Sequence, residues 1–234
     1  MHRLIIATLV QAVVVLLAGL NLNLRFTAQP VGSLDLVRWR ELFVLLVIVP
    51  VSVGIMFHVA WILGLGRRNT HWPTAIMGVF ACLLGISMGA HEPVNAVFQY
   101  SRTSALHPGL APSLFFWDEI FSHIIFYLAF AGISLSLLWI QVRNPLPVAM
   151  SLRTTAVFGG IAILGGTGIF LTLFSGCHWV DPAVIALVLL AAEWIRKGKP
   201  MRQLPIAMVV EWPCLLSFLG LVAFGAQRCL SGRW

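Results

Sequence analysis

The chain has 234 residues, of which 59% are hydrophobic and 10% charged, with a mean hydropathy of +0.94. Soluble domains carry about a quarter charged residues, so this composition excludes a water-bathed globule. The formal net charge of +7 does not signal nucleic acid, because the basic residues punctuate apolar blocks and form no stripe that could follow phosphates.

Seven apolar blocks follow one another: Leu4–Leu24, Leu42–Gly66, Trp72–Ala90, Phe115–Ile140, Thr154–Phe174, Trp179–Ile195 and Leu204–Ala226. Blocks of about twenty residues are long enough to cross a ~30 Å hydrocarbon core as helices and too long for barrel strands. The first has the charged start of a signal sequence but no clear small-x-small cleavage site, so it reads as a retained span. The second contains His58, and the third closes on the stretch SMGAHEPVN. The fourth opens with WDEIFSHIIFY. The fifth is rich in glycine, from Gly159 to Gly168, as close helix packing or a local break would require. The sixth is the weakest, bracketed by Asp181 and Glu193, and the seventh carries Glu211.

The expected fold is therefore an all-α polytopic membrane protein, a single domain over 1–234 built as a bundle of seven transmembrane helices. Of 15 basic residues, nine fall on the inner segments and six on the outer ones if the N-terminus is cytoplasmic. That bias predicts an N-in/C-out integral membrane protein, with a bacterial inner or plasma membrane as its place. Cys82 and Cys214 lie inside spans and read as small hydrophobes. Cys177 and Cys229 fall at outer span ends, where an oxidising compartment would let them pair.

Ionisable groups inside a bilayer are expensive and face the bundle interior or one another. At the outer level, Ser87 and His91 are four apart on one helix face. Pro93 disfavours helix at Glu92, so the helix is expected to end or kink there, leaving Glu92 and Asn95 on the turn. Glu119, His123 and Tyr127 form one stripe of the fourth span, with Asp118 and Ser122 beside it. His178 and Asp181 join the fifth and sixth spans on the same side. Imidazoles and carboxylates suit a divalent transition metal, so His91, Glu92, Asp118 and His123 are the candidate ligands, with Glu119 and Ser87 as catalytic groups. Zinc is the favoured ion, and iron or copper fits the same donors. The plainer reading is that Asp118 and Glu119 are first-turn acids favoured by the helix dipole and the histidines interfacial residues. His107, in the outer loop, reads as a bystander. Deeper, His58 and Glu211 sit at comparable depth, where a pair would serve as helix–helix glue or as a proton relay.

Seven spans with Ser87-x-x-x-His91 late in one and Asp118-Glu119 opening the next resemble the seven-span zinc hydrolase superfamily, which includes the alkaline ceramidases and adiponectin-receptor-like proteins. The resemblance implies a zinc that activates water for lipid amide hydrolysis, with Ser87, His91 and Asp118 at the matching positions. The late His-x-x-x-His of that pattern is absent, and the gap from His91 to Asp118 is longer, so His123 would have to stand in.

Three functions remain open on these grounds. One is a metal-dependent membrane enzyme acting on a lipid or other hydrophobic small molecule, most simply a hydrolase with a zinc-bound water as nucleophile. The second is a transporter or channel using the outer cluster and a His58–Glu211 relay. The third is a non-catalytic membrane subunit whose polar residues serve packing and partner subunits.

Overall fold

The computed structural model describes residues 1–32, 34–64, 70–103, 108–174 and 180–231. Seven long helices stand among them: α1 (His2–Asn23), α2 (Trp39–Gly64), α3 (His71–Thr103), α4 (Ala111–Arg143), α5 (Leu152–Phe174), α6 (Val180–Arg196) and α7 (Pro205–Ser231). All but α6 are long and apolar enough to cross a membrane. Outward-facing leucines and valines such as Leu46, Val79, Leu187 and Leu219 suit that solvent. The protein is an all-α polytopic membrane protein.

The helices close a ring. α1 packs on α5, α5 on α7, α7 on α6, α6 on α4, and α2 joins α4 back to α1, with α3 laid against α4 and α2. Glycines set the closest crossings. A Cβ on Gly168 of α5 would sit 2.6 Å from the Val15 and Leu16 backbone of α1, and one on Gly19 would sit 2.6 Å from the Gly168 carbonyl oxygen. Small residues let helix backbones approach where lipid supplies no hydrophobic drive for association.

Two connections differ from expectation. Pro93 does not end α3, which runs on to Thr103 and carries Glu92 and Asn95 on the helix rather than on a turn. Proline removes one backbone donor, whereas ending a helix there would leave several carbonyls without partners, which an apolar setting penalises more. The expected loop over 92–114 is thus helical at both ends. The connection after α1 holds a short hairpin, β1 (Pro30–Val31) against β2 (Leu34–Arg38). Glu41 accepts the Arg38 backbone N–H at 2.7 Å, and α2 starts at Trp39, ahead of the apolar block.

Both α2 and α4 carry one π turn, at Val44–Ile48 and Phe116–Phe121. Side chains from the first line the interior of the ring, and the second positions the polar cluster below.

At the opposite end from that cluster, polar side chains bind loop backbone. Arg202 donates twice to the Met150 carbonyl at 2.7 and 3.0 Å, and Lys199 donates to that of Val142 at 2.6 Å. Fully buried Gln141 donates to the Asn144 carbonyl at 3.0 Å.

Candidate functional site

Inside the ring lies a cavity of about 330 Å³. On α1 its lining runs from Gln11 to Leu22, a length of about 16 Å at 1.5 Å per residue. Most of the wall is apolar, with Val14, Val49, Met88, Phe126, Ile133 and Ile185 among its side chains. Near one end Gln11 donates to Ser52 Oγ at 2.7 Å. The other end is polar, formed by His91, Glu92, Ser122, His123, Tyr127 and Asp181.

That polar end depends on how α4 begins. In an α-helix the Ser122 amide would donate to the Asp118 carbonyl four residues back. In the π turn it donates to Trp117 instead. The Asp118 carbonyl, released from that bond, takes side-chain donors. Ser122 Oγ donates to it, the His123 Nδ1–H donates at 3.1 Å, and His91 Nδ1 lies 3.3 Å away. Asp118 is 1% exposed, and its Oδ1 stands 2.8 Å from His91 Nδ1, an ion-pair contact across from α3 to α4.

A carbonyl oxygen and an ionised carboxylate can only accept, so both imidazoles carry their proton on Nδ1. Each ring is left with a basic Nε2. The rings meet edge to face with centroids 5.2 Å apart, and both line the cavity. Both imidazoles are thus oriented by Asp118, His123 by its carbonyl and His91 by its carbonyl and the adjoining carboxylate. Such an arrangement can take a proton from water or a substrate hydroxyl, with Asp118 stabilising the imidazolium that forms on His91. It also matches how a histidine is oriented before it binds a metal.

The other expected residues distribute as follows. Ser87 is fully buried, and its hydroxyl donates to the Ser122 carbonyl at 2.8 Å, which ties α3 to α4. Glu92 is 5% exposed and lines the cavity. Glu119 is half-buried on the adjoining face. Among the described residues no three His, Cys, Asp or Glu side chains are grouped closely enough to hold a metal ion. His107, Cys177 and His178 lie outside the described residues, as does the side chain of Cys229.

The expected His58–Glu211 pair does not form. His58 is exposed on the outside of α2 and stacks on Trp61, ring centroids 5.5 Å apart. Glu211 faces α6, where its Oε1 is 3.4 Å from Arg196 Nε, and Arg196 also bonds Glu193. Equal depth did not mean a shared face.

Three interactions were not anticipated. The Tyr127 hydroxyl donates to Asp181 Oδ1, joining α4 to the first turn of α6. Asp181 is 2% exposed, and a first-turn carboxylate gains from the helix dipole. Nearby, Glu41 holds two guanidinium groups, Arg38 Nε at 3.1 Å and Arg40 Nε at 3.0 Å. Burial, with Arg40 beside it, lowers the Arg38 pKa from its ordinary value. The Gln11–Ser52 bond is the third. The sequence signal available for Glu41 was its position three residues beyond Arg38 at a helix start.

No known protein family, no curated protein and no solved structure matches the chain.

Proposed function

We propose that this protein is an integral membrane enzyme that acts on a lipid or other hydrophobic substrate drawn into the cavity, with hydrolysis as the reaction. The observation that supports it most is the pair of Nδ1-anchored imidazoles at the polar end of an otherwise apolar cavity. A cavity at the small end of the ~300–1,000 Å³ range of ligand pockets, apolar with a few convergent polar groups, is the usual form of a substrate site.

In this reading the substrate's apolar part lies along the wall and its polar end beside the histidines. His91 Nε2 takes a proton from water, the hydroxide oxygen adds to the acyl carbon, and the proton passes on to the leaving group as the acyl bond breaks. Asp118 holds His91 in place and offsets its charge. The two Nε2 atoms could hold a zinc, iron or copper ion only in part, since no third ligand is grouped with them among the described residues. The acid–base reaction does not require the ion.

We place all seven helices across the bacterial inner or plasma membrane, N-terminus cytoplasmic, with the polar end outward. Helix α6 has 17 residues, about 26 Å, slightly short of a ~30 Å core. Its first-turn Asp181 reaches the same polar end as Tyr127, which supports its crossing with the others.

The test uses the purified protein in lipid nanodiscs with a panel of fluorogenic long-chain acyl esters and acyl amides. Hydrolysis of at least one class is expected, falling 100-fold or more in His91→Ala and in His123→Ala while both variants stay folded. No hydrolysis by the wild type across the panel, or turnover that survives both substitutions, overturns the reading.

A further inference from the structure

We propose that Glu92 is the recognition group for a cationic head, and that the molecule held in the cavity is an amphipathic ammonium ion. This deepens the function proposed above and rests on the cavity being the substrate site.

Glu92 is 5% exposed, lines the polar end of the cavity, and makes no direct hydrogen bond or ion pair with any described residue, its attractive charges being Arg38, Arg40 and His91 at longer range. The carboxylates around it are all engaged. Asp118 is turned to His91, Asp181 accepts from Tyr127, and Glu41 holds both Arg38 and Arg40. Burying a carboxylate without a partner is costly, so native structures pair such groups or leave them for a ligand. Here the space beside the carboxylate is the cavity itself.

The chemistry of the partner follows from its surroundings. An anionic head would meet Glu92 with Asp118 and Asp181 close by, and like charges in low dielectric repel strongly. A hydroxyl donates one hydrogen bond and leaves the charge in place. An ammonium donates three and neutralises the charge, and bonds between ions are about twice as strong as neutral ones. A metal ion is less suited, because no three-ligand group is formed among the described residues. The tail is argued from shape. The wall is apolar along a length of about 16 Å, which suits a hydrocarbon tail.

Saturation binding of tritiated dodecylamine, dodecanol and dodecanoate to the full-length protein in nanodiscs tests this, against protein-free nanodiscs. The amine, charged at neutral pH, is expected to bind at least tenfold more tightly than the alcohol, and the carboxylate weakest. Glu92→Gln, nearly isosteric, should bring amine and alcohol to equal affinity, whereas Glu92→Asp should retain the preference. Retained alcohol binding in the Gln variant shows that its cavity is intact. Equal binding of amine and alcohol by the wild type, or an amine preference that survives Glu92→Gln, overturns the proposal while leaving the cavity as a binding site. Absence of saturable binding for all three overturns the cavity reading and this inference together. Since binding is read without turnover, failure of the hydrolytic reaction is scored separately.

Discussion

The α1–α5 crossing forms one wall of the cavity, and a single methyl group probes it. In Gly168→Ala the new Cβ would lie 2.6 Å from three backbone atoms of Val15 and Leu16, where ordinary contact begins near 3.4 Å. Backbone cannot swing aside like a side chain, so the two helices must part by about 0.8 Å along the crossing. Overpacking of this kind costs about 1–3 kcal/mol, and an unyielding contact belongs at the upper end. Alanine in place of glycine returns about 0.5–1 kcal/mol of helix stability, leaving a net loss of about 2 kcal/mol. Gly160, on the same helix, is exposed, and a methyl group added there would meet nothing within 4 Å, so Gly160→Ala keeps the gain without the clash. The two variants should therefore differ by about 3 kcal/mol, roughly 100-fold in the folding equilibrium. Denaturation by SDS titration in mixed micelles, followed by tryptophan fluorescence, measures both. Equal stability of the two variants would mean that α1 and α5 do not cross at Gly168, and the cavity wall would have to be redrawn.

Three further outcomes follow. Asp118→Ala should lower hydrolysis of the best panel substrate by 10- to 100-fold, with Asp118→Asn retaining more, because an amide oxygen still accepts from His91 Nδ1; equal activity of the two variants with wild type would refute the positioning role. Arg196→Leu leaves buried Glu211 without its partner and should cost about 3 kcal/mol in the same SDS titration, whereas His58→Ala on the outer surface should stay within about 0.5 kcal/mol. Reporter tags on the two termini should appear on opposite sides of the membrane, the N-terminus inside; both on one side would reject the seven-span topology.

The helices were legible because apolar blocks long enough to cross a bilayer leave few alternatives to helix. The polar end was legible for a related reason. Ser87 and His91 end one block while Asp118, Ser122 and His123 open the next, and sequence-adjacent antiparallel helices bring those ends to one depth. Contacts between helices distant in sequence were not legible in the same way. Tyr127 finds Asp181 because α4 and α6 are neighbours in the ring, which no spacing reveals. His58 and Glu211 failed as a pair because depth fixes only one coordinate of a side chain, and the angle about the helix sent His58 outward and Glu211 toward Arg196. Pro93 was misjudged by a rule drawn largely from water, where a freed carbonyl finds solvent and ending a helix is cheap.

The π turn at Phe116–Phe121 explains why one residue can organise two histidines. Helical spacing alone places His123 five residues after Asp118, on a different face, and His91 on another helix. A regular α-helix would also spend the Asp118 carbonyl on the Ser122 amide. Shifting that amide to Trp117 frees the carbonyl for His123, and the Asp118 side chain remains for His91. The two rings are therefore held by groups that share one Cα. A sequence motif could name the two histidines. The backbone irregularity between them is what makes them one site.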